Sequence, residues 1–148
     1  MSYEPGSPIK SSKKTSCAFF TFTGTPTADN PLTPVLVGSS SNFSPTISSN
    51  NIQLPEGEYI LRFFGAITRT SGDRNIVYKW KVVGGSLTGV AGATNRELGP
   101  GSAYVSIESA DAHLILSNSG EVQIIMTNVD AGVTLDTSNT HAVIWRVG

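Results

Sequence analysis

Two histidines, one cysteine and a scatter of carboxylates are the first side chains in this 148-residue sequence to test for catalysis or metal binding. His113 and His141 fall in separate strand-like stretches. No motif joins either of them to a serine, cysteine or carboxylate as a nucleophile–base pair requires. Both read as strand histidines satisfied by their neighbours. Asp111 stands two residues before His113, and Asp130 and Asp136 bracket a turn, but the spacing is not that of a calcium loop. Glu56 and Glu58 flank a turn and read as solvated. Cys17 lies in an aromatic run without a cationic neighbour to lower its pKa, so it reads as a small apolar residue. A single cysteine excludes an internal disulfide and any multi-cysteine zinc site. Gly84, Gly85, Gly89 and Gly92 do not lead from a strand into a helix, so no phosphate cradle is implied. The expectation is a non-enzyme without metal or cofactor.

The elements that carry these residues are strands. Only 14% of residues are charged, the net charge is −1, and Ser, Thr, Asn and Gly abound. That composition suits an all-β body whose outward faces use hydroxyls and amides in place of charges. It gives no electrostatic case for nucleic acid or an anionic membrane. No 18-residue apolar run is present to span a bilayer, and none follows Met1, so the expected origin is a cytosol without a cleaved signal. The length fits one domain that buries roughly 70% of its unfolded surface.

Leu54-Pro55-Glu56-Gly57-Glu58-Tyr59 organises the chain. Pro55 presets a turn dihedral and Gly57 tolerates a positive φ. From Tyr59 a long strand runs to about residue 68, with Tyr59, Leu61, Phe63 and Ile67 on an apolar face. Ile60, Arg62, Phe64, Ala66 and Thr68 form a mixed face. A second alternating strand over 74–83 points Ile76, Tyr78, Trp80 and Val82 inward, and the two are expected to pair as an antiparallel hairpin. Short strands are expected at 16–23, 35–38, 102–109, 112–117, 121–129 and 140–147, while 84–101 reads as a glycine-rich loop. Repeated short strands with no helical period predict a sandwich or barrel.

Residues 1–14 differ from the rest. They hold too little apolar surface to fold alone, and read as a solvated tail or an arm ordered on a partner. Tyr3 and Ile9 would anchor such an arm, with Lys10, Lys13 and Lys14 set against acidic groups. The final strand is apolar on both sides, with Ala142 and Ile144 opposed to Val143, Trp145 and Val147. A strand buried on both sides wants a neighbour outside its own core, and a symmetric oligomer supplies one economically. Val143, Trp145, Val147 and Phe64 are therefore the expected subunit contacts.

Residues 52–66, the aromatic strand 76–82 and the closing strand 141–147 resemble trimeric jelly-roll heads. These are the globular heads of complement and tumour-necrosis-factor-like proteins and their relatives on bacteriophage fibres and spikes. The resemblance rests on Leu54-Pro55 with Gly57 and Tyr59 ahead of a long strand, and covers residues 15–148. It implies a jelly-roll sandwich of about ten strands forming a homotrimer, its C-terminal strand beside the threefold axis and residues 1–14 as a short arm. The cysteine-poor, Ser/Thr/Asn/Gly-rich composition looks more like the phage members. The implied role is a virion knob, assembled in host cytoplasm, that decorates or stabilises a capsid or caps a projection through its arm. The alternative is a receptor-binding head for a host glycan or protein, using loops with Arg69, Asp73, Arg74, Asn95 and Arg96. A free lectin- or cytokine-like module is a weaker third reading.

Overall fold

Turn residues decide where each strand stops, and alternation decides which of its faces is buried. The computed structural model describes residues 16–69, 74–83, 87–90, 93–98 and 104–148. Among them the chain forms β-strands and no helix. In order these are β1 (Ser16–Thr23), β2 (Thr33–Ser39), β3 (Thr46–Ser48), β4 (Asn51–Leu54), β5 (Gly57–Arg69), β6 (Arg74–Val83), β7 (Leu87–Val90), β8 (Ala93–Leu98), β9 (Tyr104–Leu116), β10 (Gly120–Val129), β11 (Val133–Leu135) and β12 (His141–Arg146). They build two antiparallel sheets. The larger has the order β2-β1-β12-β5-β9-β7, with β11 on the far end of β5; the smaller is β3-β4-β10-β6-β8. This is the all-β jelly-roll sandwich that the sequence predicts. Among the described residues there are twelve strands, close to the ten or so expected.

The inner faces carry the core. Ala18, Phe20 and Phe22 from β1 and Tyr59, Leu61 and Phe63 from β5 meet Tyr78 and Trp80 from β6 and Val122, Ile124 and Met126 from β10. Phe63 sits at the centre, edge-on to Phe22 at 5.3 Å and to Tyr78 at 4.9 Å. Such aromatic pairs are worth about 0.5–1.5 kcal/mol beyond their buried area. Gly65 follows Phe63 on this face because a Cβ there would lie 3.1 Å from both the Phe63 ring and the Tyr78 hydroxyl.

The turn after β4 carries the chain from the smaller sheet to the larger. Gly57 has φ +152°, and a Cβ on it would lie 2.9 Å from Arg146 Nε and from Gly148 O. The closing strand is stitched to this corner. Glu58 N donates to Gly148 O, Val147 N donates to Glu58 O, and Arg146 Nη2 donates to Glu56 O. The Tyr59 hydroxyl donates to Pro55 O at 2.7 Å, and burial raises its pKa against a smaller lowering effect from Arg146.

Three expectations are corrected. First, β5 and β6 do not pair. Both edges of β5 are taken, by β12 and β11 on one side and β9 on the other, so β6 joins the opposite sheet between β10 and β8. Their aromatic faces meet across the core instead. Alternation specifies the buried face of a strand, not its neighbour. Second, residues 102–109 and 112–117 are not separate strands. β9 runs unbroken along β5 from Tyr104 opposite Arg69 to Leu116 opposite Gly57, with Ala110 and Asp111 in the ladder. Third, β7 and β8 arise within the 84–101 stretch, β7 on the edge of β9 and β8 on the edge of β6. An open edge supplies the pairing that a glycine-rich sequence does not advertise.

Candidate functional site

Register brings the outward residues of the larger sheet into rows. Cys17, Trp145, Ile60 and His113 stand side by side across β1, β12, β5 and β9. Phe19, Val143, Arg62 and Asp111 form the next row, and Thr21, His141 and Phe64 the one beyond. The surface is unusually apolar for one open to water. Phe19 is 48% exposed, Ile60 41% and Ile115 43%. Val143 is covered to 7% exposure between Phe19 and Arg62, while Trp145 and Phe64 are half-buried. Large exposed apolar patches are the kind of surface that serves in interactions.

The polar groups on this face are matched to one another. Arg62 donates from Nε and Nη2 to the two carboxylate oxygens of Asp111 at 3.0 and 3.2 Å. His113 Nε2 lies 2.7 Å from Glu58 Oε1. The His141 ring stacks on Phe64 at 4.9 Å and 26°, with the Arg62 guanidinium 5.9 Å from the same ring centre. Paired ions can be covered without stranding a lone charge, which suits a face that closes on a partner.

The turn ahead of β12 fixes how this face is entered. The Asp136 carboxylate accepts from Ser138 Oγ, Asn139 Nδ2 and Ser138 N, and the two side-chain bonds foremost hold its pKa below the usual carboxylate value. Thr140 is fully buried. Its hydroxyl donates to Asp136 O and accepts from Ala66 N, locking β12 against β5 just before His141.

The smaller sheet presents a different outside. Thr46, Asn51, Gln53, Lys79, Lys81 and Glu121 point outward, with Gln123 on the same face but covered, opposite the buried Ile52, Leu54, Tyr78, Trp80, Val122 and Ile124. Val83 and Ile125 are apolar exceptions, and Ile125 is covered where Pro31 pairs with it, beside the Leu32 N to Ile124 O bond.

Of the residues singled out from sequence, Phe64, Val143 and Trp145 come together on the apolar face. Val147 follows β12 at the rim of that face, tied to Glu58. His113 and His141 share the face but stand on opposite sides of β5. Arg69 closes β5 and Arg74 opens β6, in different sheets. Asn95 and Arg96 lie in strand β8, opposite Val77 and Ile76, and not in a loop. Asp73 and the arm residues Tyr3, Ile9, Lys10, Lys13 and Lys14 lie outside the described residues. Sequence reasoning missed Phe19 and Ile115. The adjacent Phe19-Phe20 pair was a signal, since alternation must turn one ring outward. Among the described residues no group of three or more His, Cys, Asp or Glu is placed to hold a metal ion.

No family model matches the chain, and no curated protein matches it by sequence. Solved structures do. Murine APRIL at pH 5.0 superposes with a TM-score of 0.63 at 10% identity, covering 90% of this chain and 100% of that one. Murine APRIL at pH 8.0 gives 0.54, at 10% identity and with the same coverage. Eiger TNF from S. frugiperda gives 0.59 at 13% identity, covering 89% of this chain and 92% of that one. The fold is thus a jelly roll like that of these tumour-necrosis-factor-like structures. At these identities the likeness is one of fold.

Proposed function

We propose that this chain is a structural protein of a bacteriophage virion, a homotrimeric knob that decorates or stabilises the capsid, or caps a projection. The observation that carries the assembly is the apolar outer face of β1, β12, β5 and β9, with its exposed Phe19, Ile60 and Ile115. A threefold arrangement around β12 removes that face from water in all three copies. The virion assignment rests on the resemblance to phage heads and on the single cysteine and sparse charge. Residues 1–14 act as the tether, and three tethers per trimer multiply weak contacts through effective concentration. Light scattering tests the trimer: the mass should be three times 15.6 kDa, and a stable single chain overturns it. Deleting residues 1–14 should abolish binding to the particle while the trimer persists. Retained binding overturns the tether. Labelling of purified particles with an antibody to the knob tests the virion location itself.

A second reading, a receptor-binding head for a host glycan or protein, is favoured by the polar outer face of the smaller sheet. Competition between purified knob and phage for adsorption to host cells separates the two.

A further inference from the structure

On the smaller sheet, Thr46, Gln53, Glu121 and Val83 form one outward row across β3, β4, β10 and β6. Thr46 Oγ1 donates to Gln53 Oε1 at 2.6 Å, and Gln53 Nε2 donates to Glu121 Oε1 at 3.1 Å. The other carboxylate oxygen accepts from Asn51 Nδ2 at 3.0 Å. The row lines an open cleft of about 610 Å³ together with Pro55 and with Ser119 in the turn between β9 and β10.

We propose that this cleft is a binding site for a neutral saccharide. The chemistry of the lining selects that class. Each polar group is held by the next on rigid strands, so hydroxyls meet donors and acceptors already in place. The carboxylate and the amide keep lone pairs for sugar hydroxyls beyond the bonds they make to each other. Pro55 and Val83 supply aliphatic surface for the C–H side of a pyranose, the mixture of apolar ground and a few placed polar groups that small-ligand sites use. Among the described residues, Glu121 is the sole charged one lining the cleft. That selects against phosphate, sulfate, sialate and uronate. A cationic peptide is the competing ligand, but both Glu121 oxygens already accept amide N–H groups, which offsets the attraction. The site rests on the proposed assembly in one respect: with the larger sheet turned to the axis, the smaller sheet faces outward, and three clefts per trimer give avidity to a weak site.

The test is amide chemical-shift titration of the full chain with methyl α-glucopyranoside, methyl α-galactopyranoside and methyl α-mannopyranoside, beside glucuronate and tri-lysine. At least one neutral glycoside should shift Gln53, Ser119, Gly120 and Glu121 at millimolar concentration, and glucuronate should not. Glu121→Gln and Gln53→Ala should each weaken that response about tenfold or more, the loss expected for a hydrogen bond made to or beside a charged group. Their spectra elsewhere should be unchanged, which shows that the variants fold. Silence with all three neutral glycosides overturns the site, as does a stronger response to tri-lysine or shifts confined to other surfaces. Light scattering on the same samples keeps the two ideas apart. A single chain that binds glycoside removes the trimer and leaves the cleft, and a trimer with a silent cleft does the reverse.

Discussion

The two sheets of this sandwich have similar insides and opposite outsides. Inside, both offer alternating large apolar side chains. Outside, the larger sheet shows Phe19, Ile60, Ile115 and Trp145, where the smaller shows Gln53, Lys79, Lys81 and Glu121. A monomeric sandwich needs only one apolar face per sheet. The difference is the one expected if, as proposed, the larger sheet is covered twice, once by its own core and once by neighbouring copies. Its polar contacts are consistent with that division, since among the described residues Arg62 is paired with Asp111 and His113 Nε2 lies 2.7 Å from Glu58 Oε1.

The comparison breaks most directly at Trp145. If the proposed trimer holds, Trp145→Glu should convert it to single chains in light scattering, because an unpaired carboxylate buried between subunits would cost several kcal/mol. Lys81→Glu, the matching change on the smaller sheet, should leave the mass unchanged. Equal effects from the two would remove the distinction between the faces.

A finer test asks whether the Arg62–Asp111 pair is open or covered. With the side chains 45% and 49% exposed in one chain, the pair should contribute only about 0.2–1 kcal/mol. A double-mutant cycle with Arg62→Ala and Asp111→Ala in the Trp145→Glu background should give that small coupling. In the intact trimer the coupling should be larger and less sensitive to salt, measured by urea unfolding. Identical couplings would mean that the face stays wet.

Tyr59 belongs to neither outside, and serves as a control at the seam. Tyr59→Phe should cost about 0.5–1.5 kcal/mol by removing the bond to Pro55 O, with no change in mass. Its pKa is raised on folding, so its contribution is full below the ordinary phenol value of about 10 and is lost as pH rises through the folded value. Alkaline unfolding followed by circular dichroism should lose this component in Tyr59→Phe.

The smallest effect is expected at Asp136. Its pKa is lowered on folding, so its contribution is full above about pH 4 and is lost as pH falls through the lowered value. Asp136→Asn should flatten the acid limb of the stability profile by slightly lowering stability at neutral pH, where the ionised carboxylate contributes. An unaltered acid limb would show that the Ser138 and Asn139 bonds do not hold the carboxylate.

Much of the interior was legible along the chain. The alternation of Tyr59, Leu61 and Phe63, and that of Tyr78 and Trp80, named core residues correctly, because a period of two reports the buried face of a strand without reference to its partners. The turn at Pro55 and Gly57 was legible for the same local reason. The apolar face was legible in part. Val143 and Trp145 stood out against Ala142 and Ile144, but Phe19 and Ile115 gained their meaning only when β1 and β9 took their places beside β12 and β5. The polar cleft was not legible, since Glu121 is 68 residues from Gln53 in sequence and each residue alone is an ordinary surface residue.

By itself, then, the sequence determined an all-β chain, the faces of its long strands and the corner from which they hang. Those are local consequences of side-chain alternation and turn dihedrals. Tertiary structure alone decided that β5 and β6 face each other across the core, that β9 runs through Ala110 and Asp111, and that the glycine-rich stretch after β6 yields two further strands. Each of those outcomes depends on which sheet edge is free when a strand arrives, and an edge is a property of the assembled sheet that no single segment carries.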